Sequence, residues 1–250
     1  MIADNASDAG ASAEPRGAWR RDVVASLRRR MAPRVLTTGD LAGLVTQSRG
    51  SADRVAVART AAALLAYGHV KRVWKGLYVN ALAVPPVSSE EVAARLRDGA
   101  VVSLQSVLGD RVANNPSVVT TAVVPIRRSS AVPSVGELQT GVGVFRFHGI
   151  AEDVFFAGAA DDRIDRTRGR YVRATAERAF CDYLYLSQTR RRALPPPPLD
   201  MDLFELRMPI VRRLAKLMGI QTALDAWLAR KRDHDNSESA TDQSNRALGF

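Results

Sequence analysis

The sequence predicts an α+β protein in two parts. A small N-terminal domain combines helices with a hairpin, and a mixed α/β C-terminal domain ends in helices. Three observations carry this reading. Residues 36–80 follow the order helix, loop, helix and short alternating hairpin. The basic excess is concentrated in residues 16–80, which hold 13 Lys and Arg against Asp22, Asp40 and Asp53, a net of +10 in a chain whose total is also +10. After Pro85-Pro86 the pattern turns to β-branched runs interleaved with helical periods.

Residues 1–15 are small, polar and acidic, and are expected to be disordered. A first helix is expected from Gly17 to Met31, where Trp19, Val23, Leu27 and Met31 recur every four residues as a buried stripe. Arg28-Arg29-Arg30 closes it, favoured by the helix dipole, and Pro33 ends it. Thr37 or Thr38 caps a second helix, with Asp40 in its first turn. A loop of Gln47, Ser48, Arg49 and Gly50 leads to a third helix, expected from Ser51 to Tyr67. Its apolar positions Val57, Ala61, Leu64 and Leu65 share one face, and Gly68 stops it. At 100° per residue Arg59 lies opposite that face, flanked by Ser51 and Ala62. Arg54 falls close to the apolar side and reaches outward only because it sits in the first turn.

His69 to Val79 reads as a hairpin. Val70, Arg72 and Trp74 alternate with Lys71 and Val73, Lys75-Gly76 makes the turn, and Leu77 and Val79 return. A helix-turn-helix followed by a cationic hairpin is a winged helix-turn-helix, here expected over residues 16–84. Such a unit places its second helix in the major groove of DNA, and the wing supplies cations for phosphates. Arg59 and Ser51, then Arg49 and Arg54, are the candidates for base edges. Lys71, Arg72 and Lys75 are the candidates for phosphate. Winged helices also serve as protein-interaction modules, but the concentration of charge favours double-stranded DNA. His69, at the junction of helix and wing, either packs or touches phosphate.

The second part is expected over residues 87–232. Ser88-Ser-Glu-Glu91 is a capping box for a helix through Arg97, and Val101 to Leu108 reads as a second short helix with Ser103 as its cap. Val118–Ile126, Gly143–His148 and Val154-Phe155-Phe156 are expected strands. Arg163–Arg173 is a basic hairpin or loop in which Tyr171-Val172 is a strand candidate. Thr175 opens a helix through Leu186 whose buried face is Ala179, Tyr183 and Leu186, widened by Phe180 and Leu184. Pro195–Pro198 is an extended spacer. Leu203 to Met218 follows a helical period around Pro209, Gly219 interrupts it, and Thr222–Lys231 is a last helix. Residues 233–250 are expected to be a disordered polar tail.

No run of eighteen apolar residues occurs, so no membrane span is expected. The acidic N-terminus is no secretory signal, and the lone Cys181 makes neither an internal disulfide nor a thiolate metal site. A cytoplasmic protein without a cofactor is expected.

The order of these pieces is similar to a known family. A basic winged helix ending in Lys75-Gly-Leu-Tyr-Val79 comes first, then Val102-Ser-Leu-Gln-Ser-Val-Leu108, then Phe147-His-Gly-Ile150 and Val154-Phe-Phe-Ala-Gly158. Ala174-Thr-Ala-Glu-Arg-Ala-Phe-Cys-Asp-Tyr-Leu-Tyr-Leu-Ser187 completes the set. Together they resemble the AbiEi-type antitoxins, the antitoxin and transcriptional-repressor half of the AbiE (type IV) toxin–antitoxin systems. The resemblance covers about Leu36 to Ser187 and rests on order and spacing. The family usually has Pro-Glu-Lys-Ala-Leu where this chain has Ala176-Glu177-Arg178-Ala179-Phe180, which keeps the acid and the cation. It implies a winged helix on the promoter of its own operon, a C-terminal part with antitoxin function, and a nucleotidyltransferase toxin as partner. The alternative is a stand-alone winged-helix regulator without a toxin.

An enzyme using the C-terminal domain is the third alternative. His148 with Glu152 and Asp153 is the one candidate acid/base group, and a strand histidine is more often structural. The chain is not itself a nucleotidyltransferase by pattern. Those enzymes carry an acidic pair some ten residues after Gly-Ser, and here Gly50-Ser51 is followed by Ala61, Ala62 and Ala63. No phosphate-binding loop or nucleophile elbow is present. Arginines cluster at Arg127-Arg128, at Arg163, Arg166, Arg168, Arg170 and Arg173, and at Arg190–Arg192. Of these, Arg166, Arg168 and Arg170 are the candidate surface for an acidic partner. Monomer and dimer both remain open from sequence.

Overall fold

The computed structural model describes residues 17–111, 118–126, 135–166, 169–189 and 194–247, with backbone alone at 110–111 and 238–247. The predicted disorder of 1–15 and the arginines at 127, 128, 168 and 190–192 lie outside the described residues. The architecture is mixed α+β: N-terminal helices with a small antiparallel sheet, then a six-stranded mixed sheet, then helices. The chain divides into two compact units, residues 1–92 with 140–142, and residues 93–139 with 143–250.

In the first unit, helix α1 (Ala18–Leu27) is followed by strand β1 (Val35–Thr37), α2 (Thr38–Arg49), α3 (Arg54–Ala66), β2 (Val70–Trp74) and β3 (Leu77–Asn80). The sheet order is β1-β3-β2, antiparallel throughout. β1 was not foreseen, since three residues give too little alternation to detect. α2 starts with a full capping box: the Asp40 backbone N–H donates to Thr37 Oγ1, and the Thr37 N–H donates to Asp40 Oδ2. Gly50 (φ 84) ends it in the left-handed conformation. Val23, Val24, Leu27, Leu36, Leu41, Val57, Ala61, Leu64, Val70 and Tyr78 form one core.

Two expectations in this unit change. α1 stops at Leu27, four residues short of Met31, which is 91 % exposed. The Asn80 side-chain amide donates to the carbonyls of Leu27 (2.8 Å) and Pro33 (3.3 Å), which captures the helix end where the chain turns. α3 begins at Arg54, not Ser51, because Asp53 Oδ1 accepts from the Ala56 N–H and caps there.

The two units divide at 92/93, inside helix α4 (Ser89–Leu96), a few residues after Pro85-Pro86. Arg34 Nε donates to Glu91 Oε2 at 2.6 Å, and its Nη2 reaches the Pro86 carbonyl. That charged pair ties the first turn of α4 to the first unit. The predicted capping box of α4 is present, with Ser88 and Glu91 exchanging backbone-to-side-chain hydrogen bonds.

The second unit contains β4 (Val101–Val102), α5 (Gln105–Arg111), β5 (Val119–Ile126), β6 (Gly136–Thr140), β7 (Gly143–Ala151), α6 (Glu152–Phe155), α7 (Ala160–Arg163), β8 (Ile164–Asp165), β9 (Arg173–Ala174) and α8 (Ala176–Gln188). α9 (Met208–Leu217) and α10 (Gln221–Ala247) follow. The sheet order is β6-β7-β5-β4-β9-β8. β5 pairs parallel with β7 over eight residues, and β4 is parallel to β9 but antiparallel to β5.

Val101-Val102 is therefore a central strand and not the start of a helix. Two residues suffice because both of its edges are paired. Val154–Phe156, expected as a strand, lies in α6 and the turn after it, and Tyr171-Val172 precedes β9 without joining it. The Arg163–Arg173 segment is the expected hairpin in so far as β8 and β9 pair antiparallel. α8 starts at the predicted Thr175 cap and is the most deeply buried helix of the unit. Trp227 is fully buried, edge-on to Phe180, and its Nε1–H donates to the Pro197 carbonyl, so the proline spacer is packed against α10. α10 continues as helix to Ala247, through the stretch expected as a disordered tail. No proline or glycine occurs from Gln221 to Ala247, and each added residue needs only one further backbone hydrogen bond.

Candidate nucleic-acid interface

The predicted site residues of the first unit all lie at the surface. Arg54 is the first residue of α3, and Arg59 is one and a half turns further on; both are exposed. The inward face of α3 is taken by Ala56, Val57, Thr60, Ala61 and Leu64, so its outward face carries Val55, Ala58, Arg59 and Ala62. Ser51 is exposed in the loop before the helix, one residue-pair ahead of the Asp53 cap, and does not belong to the helical face on which the sequence wheel placed it. Arg49 ends α2, 3.4 Å from Asp53 and with its guanidinium 5.9 Å from the centre of the Trp19 ring. Asp53 is held below the usual carboxylate range, first by the Ala56 N–H and then by Arg49.

On the hairpin, Lys71, Arg72 and Lys75 are exposed. Arg72 stands over the Tyr78 ring at 5.9 Å, a placement that leaves its charge at the surface. The alternation expected along β2 does not hold. A bulge between Arg72 and Trp74 pairs them with Tyr78 and Leu77 and leaves Val73 as the extra residue. Val73 is 3 % exposed, while Arg72 and Trp74 face solvent. Gly76 (φ 75) makes the turn, and its carbonyl accepts from the Thr38 N–H at 2.9 Å, which fastens the hairpin tip to the start of α2. His69 is 2 % exposed and stacks on Tyr67 at 6.0 Å. It packs, and phosphate cannot reach it.

In the second unit Arg166 and Arg170 are exposed, and Arg166 pairs with Asp161 at 3.1 Å. Arg166 also lines a cleft of about 470 Å³ beside the start of α8, shared with Arg173, Glu177 and Arg207. Glu177 accepts from the Arg207 side chain (2.7 Å) and backbone N–H (3.2 Å). Burial pushes its carboxyl up, and these bonds outweigh burial and hold it below the ordinary value.

His148 is 8 % exposed on β7, and its Nε2 has no hydrogen-bond partner among the described residues. Burial, helped by the charge of Arg146, pushes its pKa down to about 4. It is a neutral buried imidazole, and its Nε2 is joined to neither Glu152 nor Asp153. Among the described residues no group of three or more His, Cys, Asp and Glu is placed to hold a metal ion, and no helix is long and apolar enough to cross a membrane.

No protein-family model matches this chain, and no curated protein does.

Proposed function

We propose that residues 16–84 form a winged helix-turn-helix that binds duplex DNA, with α3 as the helix in the major groove and the β2–β3 hairpin as the wing. The observation that carries it is the placement of charge. The apolar side of α3 is spent on the core, while Arg54, Arg59, Lys71, Arg72 and Lys75 all lie at the surface of a segment with a net charge of +10. Neutralising phosphates with such cations releases counterions, so affinity falls with salt. The test is affinity for the duplex upstream of the gene across a salt series. The three wing cations Lys71, Arg72 and Lys75 on phosphate give a slope of log K against log salt of about −2.7. A flat series would sink the proposal.

We further propose, from the resemblance to AbiEi-type antitoxins, that the protein represses its own promoter and neutralises a nucleotidyltransferase toxin. The C-terminal unit would meet an acidic partner surface through Arg166, Arg168 and Arg170. Co-expression with the toxin tests this. Replacing the three arginines with Ser is expected to abolish neutralisation, while His148→Gln, if folded, retains it. Operator binding without any neutralisation by the wild-type chain would leave a stand-alone regulator.

A further inference from the structure

The bulge in β2 changes which side chain the hairpin offers to solvent. Val70 is buried, and strict alternation from it would turn Trp74 inward. With Val73 inserted, the phase reverses: Val73 takes the inward position and Trp74 is left 50 % exposed. Bulges re-aim side chains in this way and are frequent beside functional sites. A tryptophan held outward forgoes apolar burial that the adjacent core could have given it.

Its surroundings limit what it can meet. Lys75 follows it directly, and Lys71 and Arg72 are exposed on the same short strand. The turn beside it is pinned, since Thr38 N–H donates to the Gly76 carbonyl, and a Cβ at Gly76 would stand 3.1 Å from Thr38 Oγ1. Trp74 is thus an aromatic ring on a fixed tip within a cationic strip. A polyanion with an apolar wall between its charges matches that arrangement, and the minor groove of duplex DNA is such a surface. Apolar side chains inserted there contact sugars and base steps while neighbouring cations take the phosphates.

We infer that Trp74 is the wing's groove-contacting residue, lying in the minor groove of the bound duplex with Lys71 and Lys75 on the flanking phosphates. This rests on the DNA-binding reading above. The indole supplies contact area without charge, so its removal lowers affinity and leaves the salt dependence alone. Removal of Lys75 lowers both.

The experiment uses the full chain, its Trp74→Phe, Trp74→Ala and Lys75→Ala variants, and labelled duplexes of the upstream region and of random sequence. Circular dichroism checks that each variant is folded, which the exposure of both side chains favours. Trp227 is fully buried, and subtracting the Trp74→Phe spectrum isolates the Trp74 emission from that of Trp19 and Trp227. Adding duplex is expected to quench or shift that emission, and a minor-groove dye is expected to reverse the change. Trp74→Ala is expected to bind about tenfold more weakly at an unchanged salt slope, whereas Lys75→Ala lowers the slope by about one. Duplex binding with full affinity in Trp74→Ala and unchanged emission overturns this inference alone. Stronger binding and quenching on a single strand than on the duplex overturns the groove assignment in favour of base stacking. A wild-type chain that binds no duplex overturns the DNA reading and this inference with it.

Discussion

Arg178 Nε donates to Asp182 Oδ1 at 2.7 Å across one turn of α8, and the two side chains are only 4 % and 1 % exposed. The pair is not isolated. Ser103 Oγ donates to Asp182 Oδ2 at 2.8 Å, and the Arg178 guanidinium also donates to the carbonyls of Ala157 and Val154. Burial pushes the Asp182 carboxyl up, against the pull of Arg178 and of the bonds from Ser103 and Arg178. One side chain thus joins α8, helix α6 with the loop after it and, through Asp182, the loop after β4.

Removing Arg178 strands a buried carboxylate and two carbonyls. Arg178→Ala is expected to destabilise the chain by about 3–5 kcal/mol. Arg178→Lys is expected to recover only part of this, since an ammonium cannot reproduce the fork. Urea unfolding of the three chains measures it; equal midpoints for wild type and Arg178→Ala would show that the network contributes nothing.

Asn80 has a comparable role in the first unit. It donates to Leu27 and Pro33 and accepts from the Leu82 N–H, all from a position 2 % exposed. Asn80→Ala is expected to cost about 1–3 kcal/mol, and Asn80→Asp to cost more because it loses the same donor and also buries a negative charge against the two carbonyl oxygens. Thermal melts of both variants test the order.

His148 makes stability depend on pH. Its folded pKa near 4 lies below the ordinary 6.5, so between those values the unfolded chain takes up a proton that the folded chain refuses. Its contribution is level above pH 6.5, and stability falls as pH drops from there towards 4, by up to about 3 kcal/mol. His148→Gln is expected to flatten that window. Unfolding midpoints at pH 7.5, 6, 5 and 4.5 provide the comparison, and parallel curves for mutant and wild type would clear His148 of the effect.

Within the proposed DNA surface, Arg59 and Lys75 are expected to differ. Arg59→Ala should lose preference for operator over random duplex, since an arginine–guanine pair discriminates by about 1–3 kcal/mol. Lys75→Ala should weaken both duplexes alike. Competition binding reads the ratio directly, and the same loss of preference in both variants would erase the distinction.

The sequence by itself determined the elements with strong local signals. Thr37 with Asp40, Ser88 with Glu91, and Thr175 each capped a helix as their spacing demanded, because a cap satisfies backbone groups within four residues of itself. Gly68, Gly76 and Gly219 interrupt or turn the chain with positive φ, a property of the residue and not of its surroundings. The long β-branched run of β5, the surface position of Arg59 and the two-part α+β order were legible for the same local reasons. The tertiary structure decided whatever depends on a partner distant in sequence. Asn80 ends α1 from 53 residues away and leaves Met31 in solvent. Val101-Val102 is a strand because β5 and β9 supply hydrogen bonds on its two sides, which no two-residue pattern encodes. The bulge at Val73 arises from pairing with β3 and reverses the alternation, turning Trp74 outward. Arg178, Asp182 and Ser103 meet across as many as 79 residues, and hydrophobic periodicity carries no trace of a buried charge until the fold closes around it.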